Sequence, residues 1–476
     1  MQPSHRRSGL ALLLGFVAIA ASCAAPSAGS VAPVAAAPAS TSATLASAAP
    51  ASTSAALASA VTPSALEPGS VNRSSLNLTV SYDVNVTLHY GDRLLAVDSR
   101  MTITNVSGGP IDRLELNTIA ARLGGGLRLT SASVEGVPVT TTIDDQTLIV
   151  PLGGILPDGG TIQARIAYRA HLRSDLSGSN WMFTRANGII DAYRWLPWVS
   201  RRVPFNRPNH GDPFITPISP SVRVRITTDR VMTIATTGYW VGASGLTQTF
   251  TASNVRDFTI TASPYYHVAS SVVGGKTIRV YYRAGAPVSA LMSAAKNAMS
   301  KMSALVGAYP YAIFRVAQSA GGYGMESSGL IWVPTGVASS NLRYLVTHET
   351  GHQWFYGLVG SDQAYEPYTD EAVTDFLARY VLSMRRASRC STARLDLSIY
   401  RYSSACYYEV VYIQGGNFLD DLRRRMGSTA FWRGLRAYIA NNRFKIAATK
   451  TLLDTLDDAT PLDLVPRYAP RFPRIY

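Results

Sequence analysis

The chain has 476 residues, 47% hydrophobic and 16% charged, enough for two or three domains with substantial cores. Its formal net charge of +14 comes mainly from arginine, in clusters such as Arg385-Arg386, Arg423-Arg424-Arg425 and Arg467, Arg471, Arg474. None of these belongs to a nucleic-acid motif, which argues against a nucleic-acid partner and leaves a solvated arginine-rich surface or attraction to an anionic envelope.

Residues 1–22 read as an export signal: His5-Arg6-Arg7 is the basic start, Leu10 to Ala21 the apolar core, and Ala20-Ala21-Ser22 the small residues that follow. The core is too short to span a bilayer. Cys23 stands where bacterial lipoprotein signals place the lipidated cysteine, with Ala20 where they usually carry Leu. Membrane association through a lipid on Cys23 and a cell-envelope location are therefore expected, the alternative being an ordinary cleaved signal and secretion. Residues 23–75 form a tether, because the Ala, Ser, Pro, Thr, Gly and Val that dominate residues 24–68 bury too little surface to offset ordering entropy.

Residues 76–283 are predicted to form a β domain. Val80, Tyr82, Val84, Val86 and Leu88 repeat every second residue, and further strands are expected at Thr161 to Tyr168, Ser221 to Thr227, Val231 to Thr236 and Thr277 to Tyr282. Turn residues at Gly108-Gly109-Pro110, Gly153-Gly154 and Pro157-Asp158-Gly159-Gly160 separate short strands, the pattern of an antiparallel sandwich. His89, His171, His210 and His267 have no metal-ligand spacing and read as structural or exposed.

The period changes after Pro287, opening a second domain over 284–476. Leu291, Ala294, Ala295, Ala298, Met302 and Leu305 mark an amphipathic helix, followed by short strands at Ile313 to Ala317 and Leu330 to Val333. Helices are predicted at Asn341 to Val359, Thr369 to Met384, Val410 to Met426, Ala430 to Asn441 and Lys450 to Leu456. Beside Cys23 only Cys390 and Cys406 remain, either a disulfide closing a short loop or two free thiols.

His348-Glu349-Thr350-Gly351-His352 carries the chemistry. Histidines four apart share one helix face, so both can ligate one metal ion while Glu349 reaches a water beside it. Glu371, after 18 intervening residues, supplies a third ligand from a second helix and leaves a coordination position open. Asp375, four residues further, is predicted to accept a hydrogen bond from a ligand histidine.

This spacing, with the wider stretch from His348 to Gly360 and Glu366-Pro367-Tyr368-Thr369-Asp370-Glu371-Ala372, resembles the gluzincin metallopeptidases of the alanyl aminopeptidase (aminopeptidase N) family, in particular short bacterial exported members. The resemblance implies an α+β fold: an N-terminal antiparallel β-sandwich-like domain, then a mainly helical thermolysin-like catalytic domain. It implies one Zn²⁺ on His348, His352 and Glu371, although the donor set would also take another divalent metal. Peptides are the implied substrates and Glu349 the general base. Gly324-Met325-Glu326-Ser327 is similar to the family's Gly-x-Met-Glu-Asn segment, which implies that Glu326 binds the substrate's free amino end, with Ser327 in place of Asn. Val411-Tyr412-Ile413-Gln414-Gly415 is similar to its Tyr-x-Lys-Gly segment, which implies that Tyr412 donates to the oxyanion. Gln414 replaces Lys, and Tyr407 and Tyr408 compete for that role. The chain stops 64 residues after Tyr412, where larger members continue into a helical domain. An open-cleft endopeptidase or oligopeptidase, and a non-catalytic envelope-binding protein, stand as the alternatives.

Overall fold

The computed structural model describes residues 65–207 and 209–476. The expected export signal, Cys23 and residues 24–64 of the tether lie outside these. Residues 65–75, whose composition reads as tether, are pinned to the folded body. Glu67 and Ile155 exchange backbone hydrogen bonds of 2.8 and 2.7 Å, and the Asp112 carboxylate accepts from the backbone N–H groups of Val71, Asn72 and Arg73. One carboxylate thus satisfies three backbone donors that composition alone leaves without partners.

Strand Leu78–His89 buries Leu78, Val80, Tyr82, Val84, Val86 and Leu88, the face that the alternation predicts. It lies inside an eight-stranded sheet, ordered Tyr239–Ser244, Thr247–Ala252, Ser221–Thr228, Leu78–His89, Leu94–Asn105, Thr161–His171, Arg128–Val134, Val137–Pro138. All neighbours are antiparallel except Leu78–His89 with Ser221–Thr228. Two four-stranded sheets complete this half. Tyr82 of the large sheet stacks on Trp198 of one of them, ring centroids 4.5 Å apart, and its hydroxyl accepts from the Val199 N–H at 3.2 Å.

A five-stranded sheet carries the chain into the helical half. Its order is His267–Val273, Lys276–Tyr282, Ile313–Ser319, Leu330–Pro334, Met325–Ser327. This sheet crosses residue 283, because Lys276–Tyr282 pairs in parallel with Ile313–Ser319 and a parallel pair needs a crossover. Helix Val288–Val306 is that crossover, burying Leu291, Ala294, Ala295, Ala298, Met299 and Met302 at three- and four-residue spacing. Met325–Ser327 forms the edge strand, paired on one side only.

The next helix runs Ser339–Gly351, not to Val359 as the pattern predicts. Beyond His352 three side chains are held by three separate elements. The Gln353 amide bonds to Ser327 and Gly329, the Trp354 indole donates to the Gly307 carbonyl, and the Tyr356 hydroxyl reaches Asp257. A single helix face could not point at all three. A π-helical turn at Tyr368–Ala372 leads into helix Val373–Leu382, and a second at Tyr408–Gln414 leads into Gly415–Met426. Between them an irregular strap is closed by a disulfide from Cys390 to Cys406, Cα atoms 5.8 Å apart. Helices Ser428–Asn441 and Thr449–Asp458 pack on the outside. The architecture is α+β, a β-rich N-terminal part followed by a helical part. No helix among the described residues is long and apolar enough to cross a membrane.

Candidate active site

His348 lies in the last turn of helix Ser339–Gly351 and His352 caps its end. Gly351 lets the helix close on its neighbour: a Cβ there would stand 2.8 Å from the Thr374 side chain. That approach carries Glu371, on the π-helical turn, up to the two imidazoles. Nε2 of His348 and Nε2 of His352 are 3.2 Å apart, and Glu371 Oε2 lies 3.3 and 3.5 Å from them. Donors at about 2.05 Å from one tetrahedral ion are separated by roughly 3.3 Å, so the triangle has the size zinc takes. Glu371 Oε2 is buried with no hydrogen-bond partner, an acceptor left to face the centre of that triangle. Against the cost of burial, the His352 and His348 imidazoles hold the Glu371 carboxyl well below the usual range. The predicted ligand set is brought together, and its chemistry fits a divalent cation.

The carboxylate behind His352 is Asp370, not Asp375. Asp370 Oδ1 lies 2.7 Å from His352 Nδ1, which fixes the proton there and turns the Nε2 lone pair inward. Asp375 touches neither histidine. It is buried, pairs with Arg379 at 2.6 Å and accepts from the Tyr344 hydroxyl. Asp375 lies one turn on, in the regular helix Val373–Leu382, where Arg379 and Tyr344 take up its carboxylate and leave Asp370 as the acid that reaches His352.

Glu349 sits beside the triangle, buried, with its carboxylate against the edge strand. A Cβ on Gly324 would come within 2.2 Å of Glu349 Oε1, so a larger residue there would push the carboxylate out of its present place. Burial pushes the Glu349 carboxyl up to about 7, against the pull of the two histidines. Met325 and Glu326 follow on the edge strand, both buried. Gln363 Nε2 donates to Glu326 Oε1 at 2.9 Å and to Asp370 Oδ2 at 2.6 Å. One amide therefore joins Glu326, through Asp370, to His352. Ser327 turns away and donates to Thr259 Oγ1 at 2.7 Å.

Tyr412 is the tyrosine at the triangle. Its ring stacks on His348, centroids 5.5 Å apart, and burial together with the neighbouring Glu371 carboxylate pushes its hydroxyl well above the usual range. Tyr408 is engaged elsewhere, with Tyr344 and Arg386. Tyr407 is buried and lines the same cavity edge-on to Tyr412, its hydroxyl unpartnered. Gly415, where a Cβ would meet the Ala372 methyl at 2.6 Å, lets the two π-helical turns approach.

His348, His352, Glu371, Glu349, Glu326 and Tyr412 line a cavity of about 390 Å³. Arg207, Asn209, His210 and Asp212 enter its wall from the β-rich half. Asp212 pairs with Arg207 at 2.6 Å, while burial pushes its carboxyl up to about 6. His210, read from sequence as structural or exposed, lies against Tyr323 with ring centroids 4.9 Å apart. Asp370 and Gln363 were missed in the sequence. An acid directly beside a ligand glutamate was a signal for the first; nothing local marked the second, or Asp212.

The sequence matches no family model and no curated protein. Solved structures do resemble it. A mutant of an M1 zinc metallopeptidase from Deinococcus radiodurans superposes with a TM-score of 0.63 at 19% identity, covering 83% of this chain and 94% of that one. A mutant of that peptidase bound to a Tyr-Ser-Ala substrate gives 0.63 and 19%, covering 86% and 96%. A two-domain M1 zinc metallopeptidase mutant bound to L-arginine gives 0.61 and 19%, covering 83% and 93%. This chain has the fold of those metallopeptidases.

Proposed function

We propose that the chain is a zinc-dependent peptidase of the M1 type and removes residues from the free amino end of peptides. One observation carries the reading: Glu326, Glu349 and the His348–His352–Glu371 triangle share one cavity, with Gln363 linking the first to the last. Bound zinc supplies a Lewis acid that polarises the scissile carbonyl and makes water acidic near neutral pH.

The chain's own groups do the rest. Asp370 holds the His352 tautomer. Glu349, with a carboxyl near neutrality, takes a proton from the attacking water and passes it to the leaving amine. Tyr412 donates to the oxygen on which negative charge develops. Glu326 holds the substrate's ammonium, a charged group that needs an acidic partner when it leaves water. Five carboxylates stand here, Asp212, Glu326, Glu349, Asp370 and Glu371, and a divalent cation and an ammonium offset that excess.

The bridge between Cys390 and Cys406 supports an oxidising compartment, and with the signal-like start it supports export and a lipid on Cys23. The test of activity uses zinc-loaded protein and the Glu349→Gln variant on free and N-acetylated peptides. Stepwise release from free peptides only, reduced by on the order of 10²–10⁴ in the variant, is the expected result. Equal internal cleavage of both sets would replace this reading with an endopeptidase.

A further inference from the structure

The cavity is lined by acids, and a basic group stands just outside it, beyond two of the tyrosines in its wall. Tyr344, one turn before His348, stacks on that imidazole with centroids 5.8 Å apart, and Tyr408 lies against Tyr412 at 4.7 Å. Both tyrosines line the cavity. The guanidinium of Arg386 sits over both rings, 5.4 Å from each centroid, and donates through Nη1 to the Tyr408 hydroxyl. Its backbone carbonyl is fixed by the Asn417 amide at 3.0 Å.

Arg386 is thereby positioned but not neutralised, since it forms no ion pair among the described residues. The acids of this flank are taken: Asp420 pairs with Arg423 and Arg424, and Asp421 with Arg425. Arg385 beside it adds a second cation, exposed and without an ion pair among the described residues. With Nη1 committed to Tyr408, the Nε and Nη2 donors remain, and these form one edge of the guanidinium, the geometry that takes a carboxylate by two parallel hydrogen bonds.

We propose that Arg386 receives the free carboxylate of the peptide's trailing end, making short peptides with both termini free the preferred substrates. The inference rests on the aminopeptidase reading and names its substrate class. The peptide's ammonium lies at Glu326 and its scissile bond at the metal triangle. The two stacking distances put Arg386 within roughly 11 Å of the His348 ring, about three extended residues at ~3.4 Å each. A carboxylate two or three residues past the cleaved bond meets the guanidinium, which selects peptides of three or four residues.

The test compares kcat/KM for a tripeptide free acid and the same tripeptide as its C-terminal amide, in wild type, Arg386→Gln and Arg386→Lys. Wild type should favour the acid on the order of tenfold, mainly through KM, the size of a half-exposed charge-assisted pair. Arg386→Gln should bring the ratio to about one, Arg386→Lys should fall between, and added salt should shrink the wild-type preference. Equal use of acid and amide by wild type overturns the proposal. So does a variant that slows both substrates while keeping their ratio, which would make Arg386 only a prop for Tyr408. Cleavage of neither form, or equal cleavage of acetylated peptides, would sink the aminopeptidase reading itself, and the proposal with it.

Discussion

The eight-stranded sheet and the wall of the cavity treat charge in opposite ways. On the sheet, charged residues occupy the wet positions of an alternating pattern and pair across strands, as Arg165 with Asp98 at 2.7 Å and Arg225 with Asp83 at 2.6 Å. In the wall, carboxylates and imidazoles are buried within a few ångströms of one another. A surface pair contributes about 0–1 kcal/mol, whereas burying an ion costs several unless its partners are all in place. Each of the sheet's pairs could be lost at little cost. The charges of the wall are buried, and burial is tolerated because each lies against a hydrogen-bond partner or another ionisable group.

The sharpest way to break this contrast is inside the wall, with two acids on one helical stretch. Asp375→Asn disrupts a buried pair with Arg379, and a stability loss of about 3–5 kcal/mol is expected. Zinc bound per folded molecule should hold. Asp370→Asn should do the reverse, lowering zinc affinity about 10–100-fold by loosening His352. Denaturant unfolding and a competitive zinc titration on both variants read this directly. Loss of zinc affinity in Asp375→Asn alone would return that residue to the role its i+4 spacing suggested.

The tyrosines sharpen the comparison at the next level down. On the role proposed for its hydroxyl, Tyr412→Phe should cost on the order of 10²–10³ in kcat with KM nearly constant. Tyr407→Phe removes a hydroxyl with no partner and should change kcat by less than about threefold. The reverse ranking would move the oxyanion donor one residue group upstream.

What the sequence revealed follows the same division. Alternation at Val80, Tyr82, Val84, Val86 and Leu88 announced a strand because its burial repeats with the backbone period. His348, His352 and Glu371 were legible because a group that could hold a metal needs fixed residue types, two of them one helical turn apart. Asp370 was obscured because the i+4 rule points to Asp375, and only the folded chain shows that Arg379 and Tyr344 take that carboxylate instead. The end of the helix at Gly351 was hidden because Gln353, Trp354 and Tyr356 are held by partners distant in sequence. Gln363, Asp212 and Arg386 come from segments with no period at all, where only the folded chain says what each side chain meets.

The smallest effect belongs to the sheet, and it tests whether its charges are as dispensable as their exposure suggests. Arg165 grips Asp98 by two bonds, Nε at 2.7 Å and Nη2 at 2.9 Å, while the side chains keep 44% and 29% of their exposure. Bidentate geometry puts the pair at the upper end of the surface range, and solvent screening keeps it there, so Asp98→Asn should cost about 0.5–1 kcal/mol. Repeating the unfolding measurement at about 1 M salt should erase most of that difference, since the screening length then falls to about 3 Å. Zinc affinity should match wild type at both salt levels. A loss above about 2 kcal/mol that survives high salt would mean the pair is desolvated by something covering that face. The sheet would then share the wall's logic, and the division drawn between the two regions would fail.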